Sequence, residues 1–285
     1  MGNLRASLLV VGTLVSAASW STGVASGDVI EIVASRDVTL YESSAGNIAN
    51  GSGQYLFAGY TLRNSSRYRR SLLRFDVAAI PAGAIVTDAT LRMSMSQTIS
   101  GDVSVSLHRV TRNWSEGPSS PGGNEGSGTD ALAGDSTWLH TNYPGATWTT
   151  AGGDFVAVPV AETTVGATGF YVWSSNASMV NAVLAWRADP SQNFGLLVKG
   201  DEANNGSSKR FDSREHPDPT HRPTLIVTYT LCAADFNGDG FLDFTDFDAF
   251  VEGFEAGTAA ADFNADGFLD FTDFDAFVTA FEAGC

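Results

Sequence analysis

The sequence predicts a mainly β protein in which a β-sandwich or jelly roll is followed by a small α-helical module. The sandwich is predicted because short runs rich in β-branched and aromatic residues recur between clusters of Gly, Ser, Asn and Thr from residue 29 to residue 230. The helical module is predicted because residues 235–257 and 262–284 are almost identical and carry apolar residues at helical spacing. A chain of 285 residues has room for both parts.

The β-rich part contains runs that predict strands over residues 29–33, 38–41, 55–60, 69–75, 85–95, 103–110, 155–159, 169–173, 194–199, 209–212 and 224–229. Apolar and polar residues alternate most clearly over residues 89–95 and 103–107. One helix is predicted over residues 177–187, where apolar residues cluster before Asp189 and Pro190. Residues 116–134, rich in Gly, Ser and Pro, predict a long loop.

The first 26 residues are typical of a secretory signal peptide. Arg5 precedes an apolar run over residues 8–18, and small residues follow it up to a cleavage position near Ala25 or Ser26. The run is too short for a membrane anchor, which needs about 20 apolar residues. We therefore expect a secreted protein without a membrane span, organised as signal peptide (1–26), β-domain (27–230) and C-terminal module (231–285).

A repeat with an offset of 27 residues dominates the C-terminal module. Over 23 aligned positions the two copies differ at three: Gly238/Ala265, Glu252/Thr279 and Gly253/Ala280. Each copy places oxygen-bearing side chains at loop positions 1, 3, 5, 9 and 12, with glycine at position 6. This is the EF-hand spacing, in which carboxylate, amide and carbonyl oxygens surround a hard dication. The sequence therefore predicts two Ca²⁺ ions as cofactors.

The predicted calcium ligands occupy matching positions in the two loops. In the first loop they are Asp235, Asn237, Asp239, the Phe241 carbonyl, Asp243 and Asp246. In the second they are Asp262, Asn264, Asp266, the Phe268 carbonyl, Asp270 and Asp273. Position 12 is Asp where an EF-hand usually has Glu, so some change in the helix that carries it is expected. The alternative interpretation is an acidic, solvated surface.

The charge of the chain is concentrated in this module. The formal net charge is −16, but 13 of the 32 acidic residues and none of the 16 basic ones lie from Leu231 onward. The first 230 residues therefore carry 19 acidic and 16 basic residues. The acidic residues of the module are concentrated in and around the predicted metal loops. Nucleic-acid binding is not expected, because it requires a basic face.

The duplicated loop–helix unit, in which Phe244, Phe247, Val251 and Phe254 and their copies have helical spacing, resembles dockerin. The resemblance covers residues 232–285 and implies a cohesin-like partner protein. In dockerins, loop positions 10 and 11 make specificity contacts, and here these are Phe244 and Thr245 in one copy and Phe271 and Thr272 in the other. A Phe at such a position is either a partner anchor or part of the module's own core.

The two cysteines of the chain, Cys232 and Cys285, bracket the repeats. An oxidising extracellular compartment permits them to join, and two packed loop–helix units would bring the ends of the module together. A disulfide is therefore predicted between them. A module of this size has little core and benefits from such a covalent link.

Several segments of the β-domain resemble the secreted disaggregatase-related β-domains, the group labelled DNRLRE. They are residues 71–91, 113–117, 146–148, 152–154 and the closing Arg-Pro-Thr-Leu-Ile-Val-Thr-Tyr of residues 222–229. The similarity spans roughly residues 35–230. It implies a jelly-roll sandwich in an extracellular protein, and some relatives are classed as carbohydrate-binding modules.

No catalytic residues are predicted in the β-domain, which lacks nucleophile-elbow and dinucleotide-binding patterns. The loop acids Glu116, Asp130, Asp135 and Asp154, or an arginine stripe over residues 63–74, leave polysaccharide cleavage open. His216 and His221 are interpreted as loop surface, because prolines break the segment between them. Trp138 and Tyr143 are weak candidates for sugar contact, since flat rings cover the apolar face of a pyranose.

These observations favour a secreted, non-catalytic carbohydrate-binding or surface-recognition protein, tethered to a partner through the calcium module. Two alternatives stay open: a polysaccharide lyase or glycoside hydrolase with its site in the jelly roll, and a purely structural extracellular protein.

Overall fold

The computed structural model describes residues 27–65 and 67–285, and the protein is mainly β as predicted. The predicted signal peptide, residues 1–26, lies outside the described residues. The strands are β1 (Asp28–Tyr41), β2 (Ile48–Ala49), β3 (Tyr55–Tyr60), β4 (Tyr68–Phe75), β5 (Ile85–Thr98), β6 (Val103–Arg109), β7 (Thr129–Asp130), β8 (His140–Asn142), β9 (Ala146–Thr147), β10 (Ala161–Val165), β11 (Gly169–Trp173), β12 (Leu196–Lys199), β13 (Lys209–Asp212) and β14 (Thr224–Thr230). The helices are α1 (Ala177–Ala188), α2 (Phe244–Ala256) and α3 (Phe271–Ala283).

Ten of these strands form one antiparallel sheet that folds back on itself. Strand β1 pairs with β14 through its first half and with β4 through its second half, and a bulge separates the two at Ala34 and Arg36. Strand β3 likewise pairs with both β13 and β4. These two strands pass from one layer of the sheet to the other, so the two layers enclose a common core.

The main core lies between the layers and takes apolar side chains from both. Leu91 and Met93 of β5 and Leu73 and Phe75 of β4 are fully buried there. Trp173 of β11 is buried as well, and its Nε1–H donates to the carbonyl oxygen of Val105 in β6 at 2.8 Å. This bond satisfies the indole nitrogen inside the core and links strands that are not neighbours in a ladder.

Helix α1 confirms the predicted helix and adds Met179, Val183 and Trp186 to the same core. Its N-terminus is capped by Asn176, whose side-chain oxygen accepts from the backbone N–H groups of Ser178 and Met179. The helix ends where predicted, before Asp189 and Pro190.

Two strand predictions are corrected by the structure. Residues 29–33 and 38–41 belong to one long strand, because the bulge absorbs the irregular stretch between them. Residues 155–159 form no strand; Phe155 makes one isolated bridge to Val110. Pro159 lacks an N–H, and the chain joins the ladder with β6 only after it, as β10.

A second apolar cluster covers the outer face of β1, β4 and β12. Val38, Leu72 and Leu197 are neighbours across these strands and are fully buried. Trp114, Trp138 and Trp148, from the long excursion between β6 and β10, pack over them. The loop tryptophans are therefore mostly buried in the β-domain.

The C-terminal module has an apolar cluster of its own, centred on Phe250 and Phe277. Helices α2 and α3 each begin with a capping box, made by Asp243 with Asp246 and by Asp270 with Asp273. Over the described residues, no helix is both long enough and apolar enough to cross a membrane.

Candidate functional site

The two predicted calcium loops share most of their internal hydrogen bonds. They differ at position 1, where Oδ1 of Asp262 accepts from the Asp266 N–H at 3.1 Å and Oδ1 of Asp235 has no partner. The carboxylate at position 1 accepts from the glycine N–H at position 6 at 3.0 Å, Asp235 from Gly240 and Asp262 from Gly267. The amide oxygen of Asn237 accepts from the Asp239 N–H at 2.8 Å, and its counterpart in the second loop accepts at 2.9 Å. Both loops are therefore held in the tight turn that the sequence predicts.

The acids at position 12, Asp246 and Asp273, are fully buried. One oxygen of Asp246 accepts from the backbone N–H of Asn237 at 3.1 Å and the other from that of Asp243 at 2.9 Å, and Asp273 repeats both bonds. The Asp at this position also closes the capping box at the start of the helix. Each carboxylate thereby ties the loop to the helix that follows it.

The donor set of each loop fits Ca²⁺. Each loop offers four carboxylates and one amide oxygen, the hard ligands that Ca²⁺ prefers. Oδ1 of Asp235 is buried without a hydrogen-bond partner, as expected of an oxygen reserved for a cation. Hydrogen bonds from the Thr245 side chain and backbone lower the pKa of Asp243, and Thr272 does the same for Asp270, so both stay ionised.

The module has an approximate two-fold relation between residue n and residue n + 27. The rings of Phe250 and Phe277 stack at the centre, with centroids 4.1 Å apart and planes 3° apart. Phe236 meets Phe250 edge-on at 5.4 Å, and Phe263 meets Phe277 edge-on at 5.5 Å. The repeat in sequence is therefore a repeat in space. A disulfide joins Cys232 to Cys285, whose Cα atoms lie 5.5 Å apart.

The predicted partner contacts lie on the surface of the module. Phe244 is 77% exposed and Phe271 is 71% exposed, so neither belongs to the module's own core. Thr245 and Thr272 are exposed as well, but their hydroxyl groups are engaged with the loops. The carbonyl-donating residues Phe241 and Phe268 are each 72% exposed and add further apolar surface.

The weak candidates for sugar contact are less accessible than the prediction requires. Trp138 is buried, and its ring lies beneath the Arg70 guanidinium at 5.0 Å, so it offers little open ring surface. Tyr143 is half-buried, with its ring edge-on to His140 at 5.1 Å. Neither side chain forms an exposed aromatic platform.

The loop acids considered for cleavage have structural partners. Asp135 is fully buried and accepts from the N–H groups of Ser119 and Leu132. For Asp154, burial acts to raise the pKa, but the backbone N–H groups of Thr149 and Thr150 outweigh it and lower the pKa below its ordinary value. In the arginine stripe, Arg70 forms a bidentate pair with Glu202. These groups are therefore held by neighbouring protein atoms.

Sequence reasoning missed a carboxylate cluster made by Asp37, Glu116 and Glu215, whose oxygens lie within 4.8 Å of one another. Burial raises the pKa of Asp37 well above its ordinary value, and the charges of Glu215 and Glu116 raise it further. Burial also raises the pKa of Glu215, against the opposing charge of Arg214. Glu215 lines a polar groove of about 430 Å³ together with Gln54, Tyr55 and Glu125.

A second cluster missed from sequence combines Asp212, His216 and His221. The sequence predicts the two histidines only as loop residues. No pattern in the sequence indicates that Asp212, at the end of β13, is buried. Within residues 27–65 and 67–285, the Asp37 and Asp212 clusters are the two groups in which three His, Cys, Asp or Glu ligand atoms lie within 4.8 Å of one another. In the predicted calcium loops, which lie within these residues, no three carboxylates are this close together.

Comparison with known protein families and with characterised proteins found no match to this chain.

Proposed function

We propose that this chain is a secreted recognition protein, with a β-domain that binds carbohydrate and a C-terminal module that binds two Ca²⁺ ions and tethers the protein to a cohesin-like partner. The β-domain is proposed to be a jelly roll of the DNRLRE type, and the module a dockerin-like pair of loop–helix units. Residues 1–26 are proposed to direct export.

One observation carries the proposal for the module: both loops adopt the same tight turn, with matching hydrogen bonds to the acids at positions 1 and 12, and each offers four carboxylates and one amide oxygen within twelve residues. Asp235 supports this most directly, because one of its oxygens is buried without a partner. Four carboxylates in one loop repel one another unless a cation is bound. Calcium binding to both loops therefore supplies stability that the module otherwise lacks.

The proposal is tested by calorimetric titration of the full chain with CaCl₂. We expect two ions per chain, and loss of both in the double variant Asp235→Ala/Asp262→Ala. Asp248→Ala/Asp275→Ala is the matched control, because it removes the same number of acids at exposed helix positions of the two copies. No calcium uptake by the unmodified protein would refute the proposal.

A second candidate function is cleavage of a polysaccharide, and the Glu215 groove favours it. Glycoside hydrolysis needs two carboxyl groups, one of which stays protonated; burial raises the pKa of Glu215, whose carboxylate lies within 4.8 Å of those of Asp37 and Glu116. However, among the described residues the aromatic lining of this groove is Tyr55 alone, and its ring is half-buried beneath the Arg210 guanidinium.

A panel of neutral and uronate-containing polysaccharides separates the candidates. Affinity electrophoresis measures binding, and release of reducing ends or unsaturated products in the same samples measures cleavage. Binding without product supports the recognition proposal, and product that disappears in Glu215→Gln supports the enzyme. Neither binding nor product across the panel supports a structural role.

A further inference from the structure

We propose that Asp212, His216 and His221 form a binding site for a divalent transition metal of the zinc class, separate from the calcium loops. One oxygen or nitrogen atom from each side chain lies within 4.8 Å of the other two. Two imidazoles and one carboxylate are donors that Zn²⁺ prefers, whereas Ca²⁺ takes oxygen ligands. The two sites would therefore bind different metals.

The burial of Asp212 is the first argument for a bound cation. Its side chain is 1% exposed, at the end of β13. Oδ2 lies 2.9 Å from Nδ1 of His221, but Oδ1 is buried without any hydrogen-bond partner. A buried carboxylate oxygen that has no partner lowers the stability of the fold unless a positive charge compensates it.

No Lys or Arg side chain supplies that charge among the described residues. The ion pair that Asp212 forms is with His221 alone. Arg92, on the neighbouring strand β5, pairs with Glu31 at 3.0 Å. Arg222 donates its Nε–H to the His216 carbonyl oxygen at 2.9 Å, and Arg210 lies over the ring of Tyr55. These three guanidinium groups make their contacts with residues other than Asp212, and Nε of Arg92 has no partner.

The histidines are held in place by the loop between β13 and β14. The backbone N–H of His216 donates to Ser213, and the Arg222 bond fixes its carbonyl oxygen. His216 and His221 stack in parallel, with centroids 4.8 Å apart, and the edge of Phe170 contacts His221 from the neighbouring strand. This packing holds both imidazoles beside the carboxylate.

The surroundings of His216 match those of a metal ligand. Its Nδ1 lies 3.2 Å from the carbonyl oxygen of Asp218. The backbone N–H of Asp218 also lies 3.2 Å from Nδ1 and donates to it when Nε2 carries the proton. The other tautomer, protonated at Nδ1, donates to the Asp218 carbonyl oxygen and leaves the Nε2 lone pair for a metal, so metal binding selects this tautomer. Metal-binding histidines usually donate their second N–H to a carbonyl or carboxylate in this way.

The spacing of the donors is compatible with zinc. Bonds of about 2.0–2.2 Å in a tetrahedral arrangement place the donors roughly 3.3–3.6 Å apart. One ligand atom from each side chain lies within 4.8 Å of the other two, so small side-chain movements bring the three donors into that range. Three protein ligands leave a fourth position open to water or to a donor atom from a ligand.

The test is calorimetric titration of the full chain with ZnCl₂ in saturating Ca²⁺, followed by Co²⁺ substitution and absorption spectroscopy. We expect one Zn²⁺ per chain and a tetrahedral Co²⁺ spectrum. His216→Ala and His221→Ala should each weaken Zn²⁺ binding by on the order of a hundredfold. His140→Gln, which alters a histidine outside the cluster, should bind as the unmodified protein does.

Two results would overturn the site. One is the absence of Zn²⁺ binding in saturating Ca²⁺. The other is binding that survives in the double variant His216→Ala/His221→Ala, or that disappears in Asp235→Ala/Asp262→Ala, since either places the ion elsewhere. Asp212→Asn gives an independent reading: Zn²⁺ should raise the melting temperature of the unmodified protein and not that of this variant.

Discussion

Gly83 and Gly240 lie so close together that a methyl group placed on Gly240 would come within 2.7 Å of the Gly83 amide nitrogen. Gly83 lies in the turn before β5, and Gly240 is the sharp-turn residue of the first calcium loop. The equivalent residue of the second loop, Gly267, has open space around it. Two loops of nearly identical sequence therefore have different surroundings, and only the first is packed against the β-domain at this glycine.

This contact predicts different effects for Gly240→Ala and Gly267→Ala. Both residues have positive φ, +92° and +88°, so either substitution costs about 1–2 kcal/mol of backbone strain. Gly240→Ala adds a steric clash with Gly83, worth roughly 1–3 kcal/mol more. Thermal unfolding in saturating Ca²⁺ should therefore show the larger loss of stability for Gly240→Ala. Equal losses would mean that the contact contributes nothing.

The two turns and the helices that follow them in the C-terminal module were predictable from sequence because each unit is encoded within a short consecutive stretch. Short-range spacing fixes such a loop, and the helices that follow it are marked by the spacing of Phe247 and Phe274 with their neighbours. The long pairing of β1 with both β14 and β4 was not predictable, because the bulge at Ala34 and Arg36 appears in sequence as a break between two strands.

The Asp212 cluster shows the same limit. His216 and His221 are visible in the sequence, but their chemistry depends on a carboxylate whose burial comes from tertiary packing. Likewise, the contact between Gly83 and Gly240 joins residues that are far apart in the chain. The alternation and spacing of apolar residues predict local secondary structure. A site made by residues from distant segments can be recognised only once the fold is known.

Asp246→Ala should abolish calcium binding by the first loop and should also lower the stability of the module by more than the loss of one charge predicts. The substitution leaves the N–H groups of Asn237 and Asp243 without their acceptor, at about 1–3 kcal/mol for each such group that remains buried. We expect loss of one calcium site and a lower melting temperature, even in the presence of chelator. Asp248→Ala, at an exposed position of the same helix, is the control. A chelated Asp246→Ala protein as stable as the unmodified one would contradict this account.

The disulfide should stabilise the module and leave the β-domain unaffected. It closes a segment of 53 residues, for which the loss of chain entropy in the unfolded state corresponds to at most about 4 kcal/mol. Cys232→Ser/Cys285→Ser should therefore lower the unfolding temperature of the module and weaken calcium binding. Differential scanning calorimetry, repeated with chelator to identify the transition of the module, follows the two parts separately. A change in the β-domain transition would show that the two parts do not unfold independently.

The carboxylate cluster around Asp37 should make the protein less stable as pH rises. Burial and the charges of Glu215 and Glu116 raise the pKa of Asp37 in the folded protein, so the folded state holds a proton that the unfolded chain has already released. Between the two pKa values, the free energy of unfolding therefore falls with increasing pH. Asp37→Asn removes the charge and keeps an oxygen that can accept from the Arg214 N–H.

Denaturant unfolding at several pH values measures this effect. The fall in stability should be reduced in Asp37→Asn, and at neutral pH the variant should be at least as stable as the unmodified protein. Asp88→Asn, at an exposed position on β5, should leave the pH profile unchanged. An Asp37→Asn protein with an unaltered profile would show that Asp37 does not titrate in this range.

The exposed Phe244 and Phe271 predict that a cohesin-like partner can bind the module in two orientations. The two residues are related by the approximate two-fold symmetry of the module, and both stay exposed although the first loop packs against the β-domain. If each orientation uses one copy, removing one Phe eliminates half of the binding modes and weakens the association by about twofold. Removing both eliminates a buried apolar anchor from each mode and should cost 2 kcal/mol or more, roughly 30-fold. Surface plasmon resonance on Phe244→Ala, Phe271→Ala and the double variant, each with calcium uptake verified, measures these differences. A large loss in either single variant would mean that the partner uses one orientation only.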